Sequence, residues 1–221
     1  MIFKQESLTR LNCSLCETRK EKRFCPALHA RICAACCGAH RELILDCPSD
    51  CSYLKQARGY DRFRPELFED ERWFAHVQVE EDLLDAHPVL LQALVESITQ
   101  SALANRSLRD RDVIDALTAL VRSFETRAHS GLHYEATRPS LAQQAVIEEL
   151  RQVIADYDEE GTREMGEPHL RDSDALKALV FVLRLALDRS SGRPLSRGFL
   201  DFLRTEFKKD GSNTQTRLVL P

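Results

Sequence analysis

The sequence predicts a mainly α protein in two parts: a small cysteine-rich module over residues 1–60 and an all-α bundle of about five or six helices over residues 61–221. Three observations carry this prediction. All eight cysteines lie between Cys13 and Cys51. Beyond Pro65, apolar residues recur at spacings of three and four, the period of a half-buried helix. No stretch of residues 61–221 holds the period-two alternation of a strand for more than a few residues. With 43% hydrophobic and 30% charged residues in 221, the chain has material for a real core, and collagen-like or low-complexity classes are excluded.

In the helical part, Glu66–Asp85 is charged, with Leu67, Phe68, Trp73, Phe74 and Leu83 as its apolar points, and reads as a helix. Pro88 suits a first helical turn ahead of Leu91, Leu94, Val95, Ile98 and Ala102. Ser107 is placed to cap a helix whose stripe is Val113, Leu117, Leu120, Val121 and Phe124. Ala128–Pro139 reads as a linker broken by Gly131 and Pro139. Ser140 then opens a helix that Gly161 is expected to end. Asp172 or Ser173 caps a helix from Leu176 to Leu187 with almost no polar face, which must lie at the centre of the bundle. A last helix carries Phe199, Leu203 and Phe207, and the tail from Lys208 is polar.

The cysteines run Cys13-x2-Cys16, Cys25, Cys33-x2-Cys36, Cys37 and Cys47-x3-Cys51. A two-residue gap lets a tight turn present two sulfurs to one ion, and zinc takes four thiolate or imidazole ligands in a tetrahedron. Eight ligands fill two sites. Neighbouring side chains such as Cys36 and Cys37 diverge, so they belong to different ions. The expected assignment is an interleaved cross-brace: one Zn2+ on Cys13, Cys16, Cys33 and Cys36, the other on Cys25, Cys37, Cys47 and Cys51. His29 or His40 in place of Cys37 are the alternatives. So short a segment has no large apolar core, and metal binding then contributes folding free energy directly. The N-terminus, MIFKQESLTRL, has no apolar stretch of signal-peptide length, and no run of about 18 apolar residues exists, which favours an intracellular, cytoplasmic chain with reduced thiols. Disulfides and an iron–sulfur cluster explain the eight less well.

The runs Cys25-Pro26, Ile32-Cys33-Ala34-Ala35-Cys36-Cys37-Gly38-Ala39-His40-Arg41 and Cys47-Pro48-Ser49-Asp50-Cys51-Ser52-Tyr53-Leu54 resemble a group of uncharacterised bacterial proteins with the pattern CxxC, CP, ICxxCCGxxR, CPxDCxYL before a helical region. Gly131–Glu135 with Pro139 is similar to a segment of some members. The resemblance covers about 45 residues and implies an architecture, a bacterial setting and Cys37 rather than His29 as ligand. It implies no activity.

Residues 1–60 hold ten basic and six acidic side chains, and residues 61–221 hold 21 and 29. Eight thiolates and two Zn2+ bring the first part near neutrality, so neither part has the footprint of a phosphate-backbone binder. The cluster Arg19, Lys20, Lys22, Arg23 and Arg31 around Phe24 reads as a solvated loop offsetting thiolate charge, and alternatively as a grip on a single nucleic-acid strand. Arg41 is expected to donate to sulfurs or carbonyls, and Tyr53 and Leu54 to start a helix that docks the module on the bundle. His129, His133, Tyr134 and Glu135 share the linker, but no nucleophile motif, phosphate loop or H-E-x-x-H helix accompanies them. No catalytic residue is assigned. The expected function is macromolecular binding, protein–protein before nucleic acid and without a membrane, with structural zinc. A redox or metal-responsive sensor using Cys37 is the third reading.

Overall fold

A computed structural model describes residues 12–60, 69–130, 140–166 and 169–207. Its N-terminal part starts with an antiparallel hairpin, β1 (Arg23–Cys25) and β2 (Ala30–Ile32), in which Arg23 faces Ile32 and Cys25 faces Ala30. Strands of three residues are too short to show a period in the sequence. Two helices follow, α1 (Ala34–His40) and α2 (Ser52–Tyr60). Cys33 caps α1: its sulfur accepts the N–H of Cys36 at 3.3 Å. Cys13, Cys25, Ile32, Cys33, Cys36, Cys37 and Leu45 form a small buried cluster of their own.

The rest is helical. A 3-10 turn at Glu71–Trp73 leads through irregular chain to α3 (Glu81–Ala86), α4 (Pro88–Ala104), α5 (Asp110–Ser130), α6 (Leu141–Met165), α7 (Asp172–Arg189) and α8 (Gly198–Glu206). Pro88 occupies the first turn of α4, as its fixed φ allows. Ser140 opens α6 with a full capping box: its hydroxyl accepts the N–H of Gln143, and the Gln143 side chain accepts the N–H of Ser140. Helix α7 is buried at Leu176, Leu179, Val180, Leu183 and Leu187 and packs on α3, α4, α5 and α8, with α5 as its main neighbour. It is the centre of the bundle, as its missing polar face predicts.

Five local expectations are corrected. Neither Asp172 nor Ser173 caps α7: both lie in its first turn, and the N-cap residue, Arg171, makes no side-chain cap. The segment Glu66–Asp85 is not one helix: within its described part, Phe74 takes a left-handed φ of 48° and ends the 3-10 turn. Arg184 of α7 holds that turn, donating to the carbonyls of Trp73, Phe74 and Val77 at 2.9, 2.7 and 2.8 Å. Ser107 does not cap α5. It sits in a turn on Asn105, and the N–H of Arg109 donates instead to Asp112 at 3.0 Å. Helix α5 runs to Ser130, so Ala128–Ser130 belongs to it, while Gly131–Pro139 lies outside the described residues, as does the tail from Lys208. Helix α6 passes through Gly161 and ends at Gly166, whose φ of 78° suits glycine.

Asp110, fully buried at the start of α5, fixes the loop ahead of α8. Its carboxylate accepts from the hydroxyl of Ser196 at 2.7 Å and from the N–H groups of Phe199 and Leu200 at 3.2 Å each. It thereby caps α8 from another helix, since the α8 N-cap residue, Arg197, makes no side-chain cap. No helix among the described residues is long and apolar enough to cross a membrane.

Candidate metal centre

The first cysteine pair sits on a tight loop. The N–H of Cys13 donates to the carbonyl of Arg19 at 2.8 Å, and that of Glu17 to the carbonyl of Cys13 at 2.8 Å. Glu17 adopts a φ of 56°, the left-handed step that turns the chain back after Cys16. The hairpin carries the second pair to this loop: the N–H and hydroxyl of Ser14 both donate to the carbonyl of Arg31, at 3.1 and 2.9 Å. Cys33 then stands at the N-cap of α1 and Cys36 in its first turn.

As a result the sulfurs of Cys13, Cys16, Cys33 and Cys36 lie within 4.8 Å of one another, the one such group of metal-ligating side chains among the described residues. In a tetrahedral site with Zn–S of about 2.3 Å, sulfurs stand about 3.8 Å apart, so this set is close to its bound geometry. Cys13, Cys33 and Cys36 are buried, at 0%, 3% and 6% exposure, and Cys16 is partly exposed.

The four sulfurs compete for charge. The hydroxyl of Thr18, followed by the N–H groups of Thr18 and Arg19, pulls the Cys16 thiol down to about 5. Burial works to raise Cys13, but the amides of Cys33, Cys16 and Leu15 outweigh it and lower its pKa. Cys36 is pushed up to about 12, first by the Cys33 side chain and then by burial. Thiolate charge that accumulates on one side of the cluster suppresses ionisation on the other. A divalent cation resolves this conflict, because its charge favours all four thiolates together.

The other four cysteines are brought to one place less tightly. Cys25 at the end of β1, Cys37 in α1, Cys47 and Cys51 line a nearly closed cavity with Ile32, Leu45, Tyr53 and Leu54. Its open room is about 10 Å³, on the order of one water-sized sphere. Burial pushes the Cys47 thiol up, the N–H of Glu42 opposes this, and the charges of Cys25 and Cys51 reinforce it. Neither His29 nor His40 lines the cavity. His29 sits just before β2 with a φ of 50°. The neighbours Cys36 and Cys37 go to different places, Cys36 to the closed cluster and Cys37 to the cavity, as successive positions on a helix require.

The basic cluster also resolves. Arg23 turns inward, its guanidinium donating to the sulfur of Cys37 at 3.6 Å and lying 4.5 Å from the ring centre of Tyr53. Arg31 pairs with Glu21 at 2.7 Å. Arg41, expected to donate to sulfurs or carbonyls, lines the cavity, and the sulfur contact there is made by Arg23. Tyr53 packs back on the cysteine module. Docking falls to residues that sequence reasoning did not single out. Arg58 of α2 bonds Glu42 at 2.7 Å and Asp201 of α8 at 2.8 Å, and Ser49 donates to Asp201 at 2.7 Å. Arg193 donates to the carbonyls of Gly38 and Arg41 at 3.0 and 2.5 Å, and the N–H of Leu195 to the carbonyl of Glu42 at 2.9 Å. Nothing in the spacing of these residues signals such pairings across 16 to 155 positions.

The remaining histidines among the described residues are not at the metal centre. The ring of His129 bonds the carbonyl of Glu125 in its own helix, at 2.8 Å; His133, Tyr134 and Glu135 lie outside the described residues. His87 and His169, distant in sequence, both meet the hydroxyl of Tyr157, at 3.0 and 3.2 Å. Comparison with protein-family models, curated proteins and solved structures found no match to this chain.

Proposed function

We propose that residues 1–60 form a dinuclear structural zinc module, with one ion on Cys13, Cys16, Cys33 and Cys36 and a second on Cys25, Cys37, Cys47 and Cys51, and that the protein acts by binding another protein. The observation that carries this reading is the four-cysteine cluster, three of its members buried, with its sulfurs within 4.8 Å of one another. Catalytic zinc has three protein ligands and keeps a site for water or substrate; four thiolates would fill a tetrahedral site. The shared cavity with room for about one small sphere supports the second ion. Ligand sets made entirely of thiolates favour a reducing compartment such as the cytoplasm.

A protein partner fits the module's surface better than nucleic acid. Phe24, Leu28, Leu43 and Ile44 are exposed on it, while two of the five cations near Phe24 are already engaged, Arg23 with Cys37 and Arg31 with Glu21. The test is metal content of the purified chain by elemental analysis. Two zinc ions per chain are expected, falling to one in Cys16→Ser and to one in Cys51→Ser. Absence of metal from freshly purified protein overturns the reading, and a metal count that Cys51→Ser leaves unchanged removes its second site. Pull-down with Phe24→Ser and Ile44→Ser variants tests the partner surface, since both are exposed and their loss leaves the metal count unchanged.

A further inference from the structure

Beside the seam between the cysteine module and the bundle lies an open pocket of about 410 Å³ lined by Leu103, Arg106, Arg197 and Arg204. Three of its four lining residues are arginines, and no Asp or Glu lines it. The charge around it is incompletely answered. Arg197 donates to Asp46 at 3.3 Å and to the carbonyl of Arg106 at 3.4 Å. That same Asp46 oxygen also takes Arg109 at 3.0 Å. Arg204 donates to the carbonyl of Ala102 at 2.5 Å and stands 3.6 Å from Asp201, which already serves Arg58 and Ser49. Arg106 has no carboxylate partner among the described residues. The Nε atoms of Arg109, Arg197 and Arg204 are buried and without an acceptor. Beside the pocket, burial first and the charge of Arg197 second hold Arg109 below its ordinary pKa, against the charges of Asp46, Asp112 and Asp110.

Guanidinium groups arranged around a cavity match the tetrahedral oxygens of phosphate, which accepts from several N–H donors at once and neutralises more than one of them. The fourth wall, Leu103, is 58% exposed and apolar, so it offers a surface to carbon attached to that phosphate. We infer that this pocket binds the phosphate group of a small organic phosphomonoester, held by Arg106, Arg197 and Arg204 with its organic part against Leu103. Arg197 is set by the loop that Asp110 anchors, and Arg204 lies about two turns further along α8.

Calorimetric titration of the full chain with inorganic phosphate, phenyl phosphate and acetate at matched ionic strength tests the site. Saturable binding of both phosphates is expected, tighter for phenyl phosphate, with no response to acetate. Arg106→Ala, which removes a side chain without an ion-pair partner and leaves the fold intact, should weaken phosphate binding about tenfold, the loss of one charge-assisted hydrogen bond of about 1.4 kcal/mol. Arg204→Lys, which keeps the charge and loses the fork, should weaken it as well. Absence of saturation at about 10 mM, beyond the range of a weak but specific site with Kd near 1 mM, overturns the inference. So does phosphate binding that both variants leave unchanged. A response to a single-stranded oligonucleotide with none to the two phosphates also overturns the small-ligand assignment.

Discussion

Asp110 shows how one side chain can set the position of a surface far from it. Burial raises its pKa above the ordinary carboxylate value, against hydrogen bonds from Ser196, Leu200 and Phe199 that lower it. Replacing it with Ala leaves buried donors without an acceptor, each worth about 1–3 kcal/mol, so Asp110→Ala should destabilise the protein by about 3–5 kcal/mol in urea titration; a change under about 1 kcal/mol refutes the role. A second residue-scale prediction concerns pH. Burial first, and then the charge of His169, holds the His87 pKa below its ordinary value, while Asp174 pulls it up. A histidine depressed in the fold binds fewer protons there than in the unfolded chain. Its contribution is therefore present above the unfolded value, about 6.5, and is lost as pH falls through the folded one. Unfolding free energy should decline from pH 7 toward pH 5.5, and the decline should shrink in His87→Asn; an unchanged slope in that variant counts against it.

At the scale of elements, Gly161 is instructive. Glycine inside a helix ordinarily costs about 1 kcal/mol relative to alanine. Here a Cβ would stand 2.3 Å from the ring of His169. Gly161→Ala should therefore destabilise, opposing the gain in helix propensity, and should displace His169 from Tyr157; stabilisation by about 1 kcal/mol would show that the ring simply moves aside. This explains why the sequence misleads at that position. A glycine after an amphipathic run looks like a helix end, and the ring that requires it comes from a segment eight residues later. Helices whose apolar stripe is long were legible for a plain reason: burial of Leu117, Leu120, Leu179 and Leu183 is recorded in their spacing. The cysteine pairs were legible because metal geometry constrains ligands locally. The β1–β2 hairpin, the 3-10 turn held by Arg184 and the α8 cap supplied by Asp110 were not, since each depends on a partner that periodicity does not encode.

For the whole molecule, the decisive question is whether the cysteine module and the bundle behave as one cooperative body. Their apolar clusters are separate, and the described polar contacts between them centre on few residues. Glu42, at 2% exposure, pairs with Arg58, and its carbonyl accepts from Leu195, although its backbone holds a left-handed φ of 51°. Arg58 continues to Asp201, and Arg193 secures the carbonyls of Gly38, in α1, and of Arg41, just before Glu42. Hydrogen bonds to charged groups contribute about 1.5–3 kcal/mol each; Arg193→Ala removes two and Asp201→Asn at least one more, so the two together should cost about 5–9 kcal/mol, most of it at the seam. The Arg193→Ala, Asp201→Asn double variant is expected to keep its metal, because no cysteine is touched, and to melt in two calorimetric transitions where the wild-type chain melts in one. The lower transition should move with chelator concentration and the upper should not. A single transition in the double variant would mean that contacts other than this polar seam hold the two parts together.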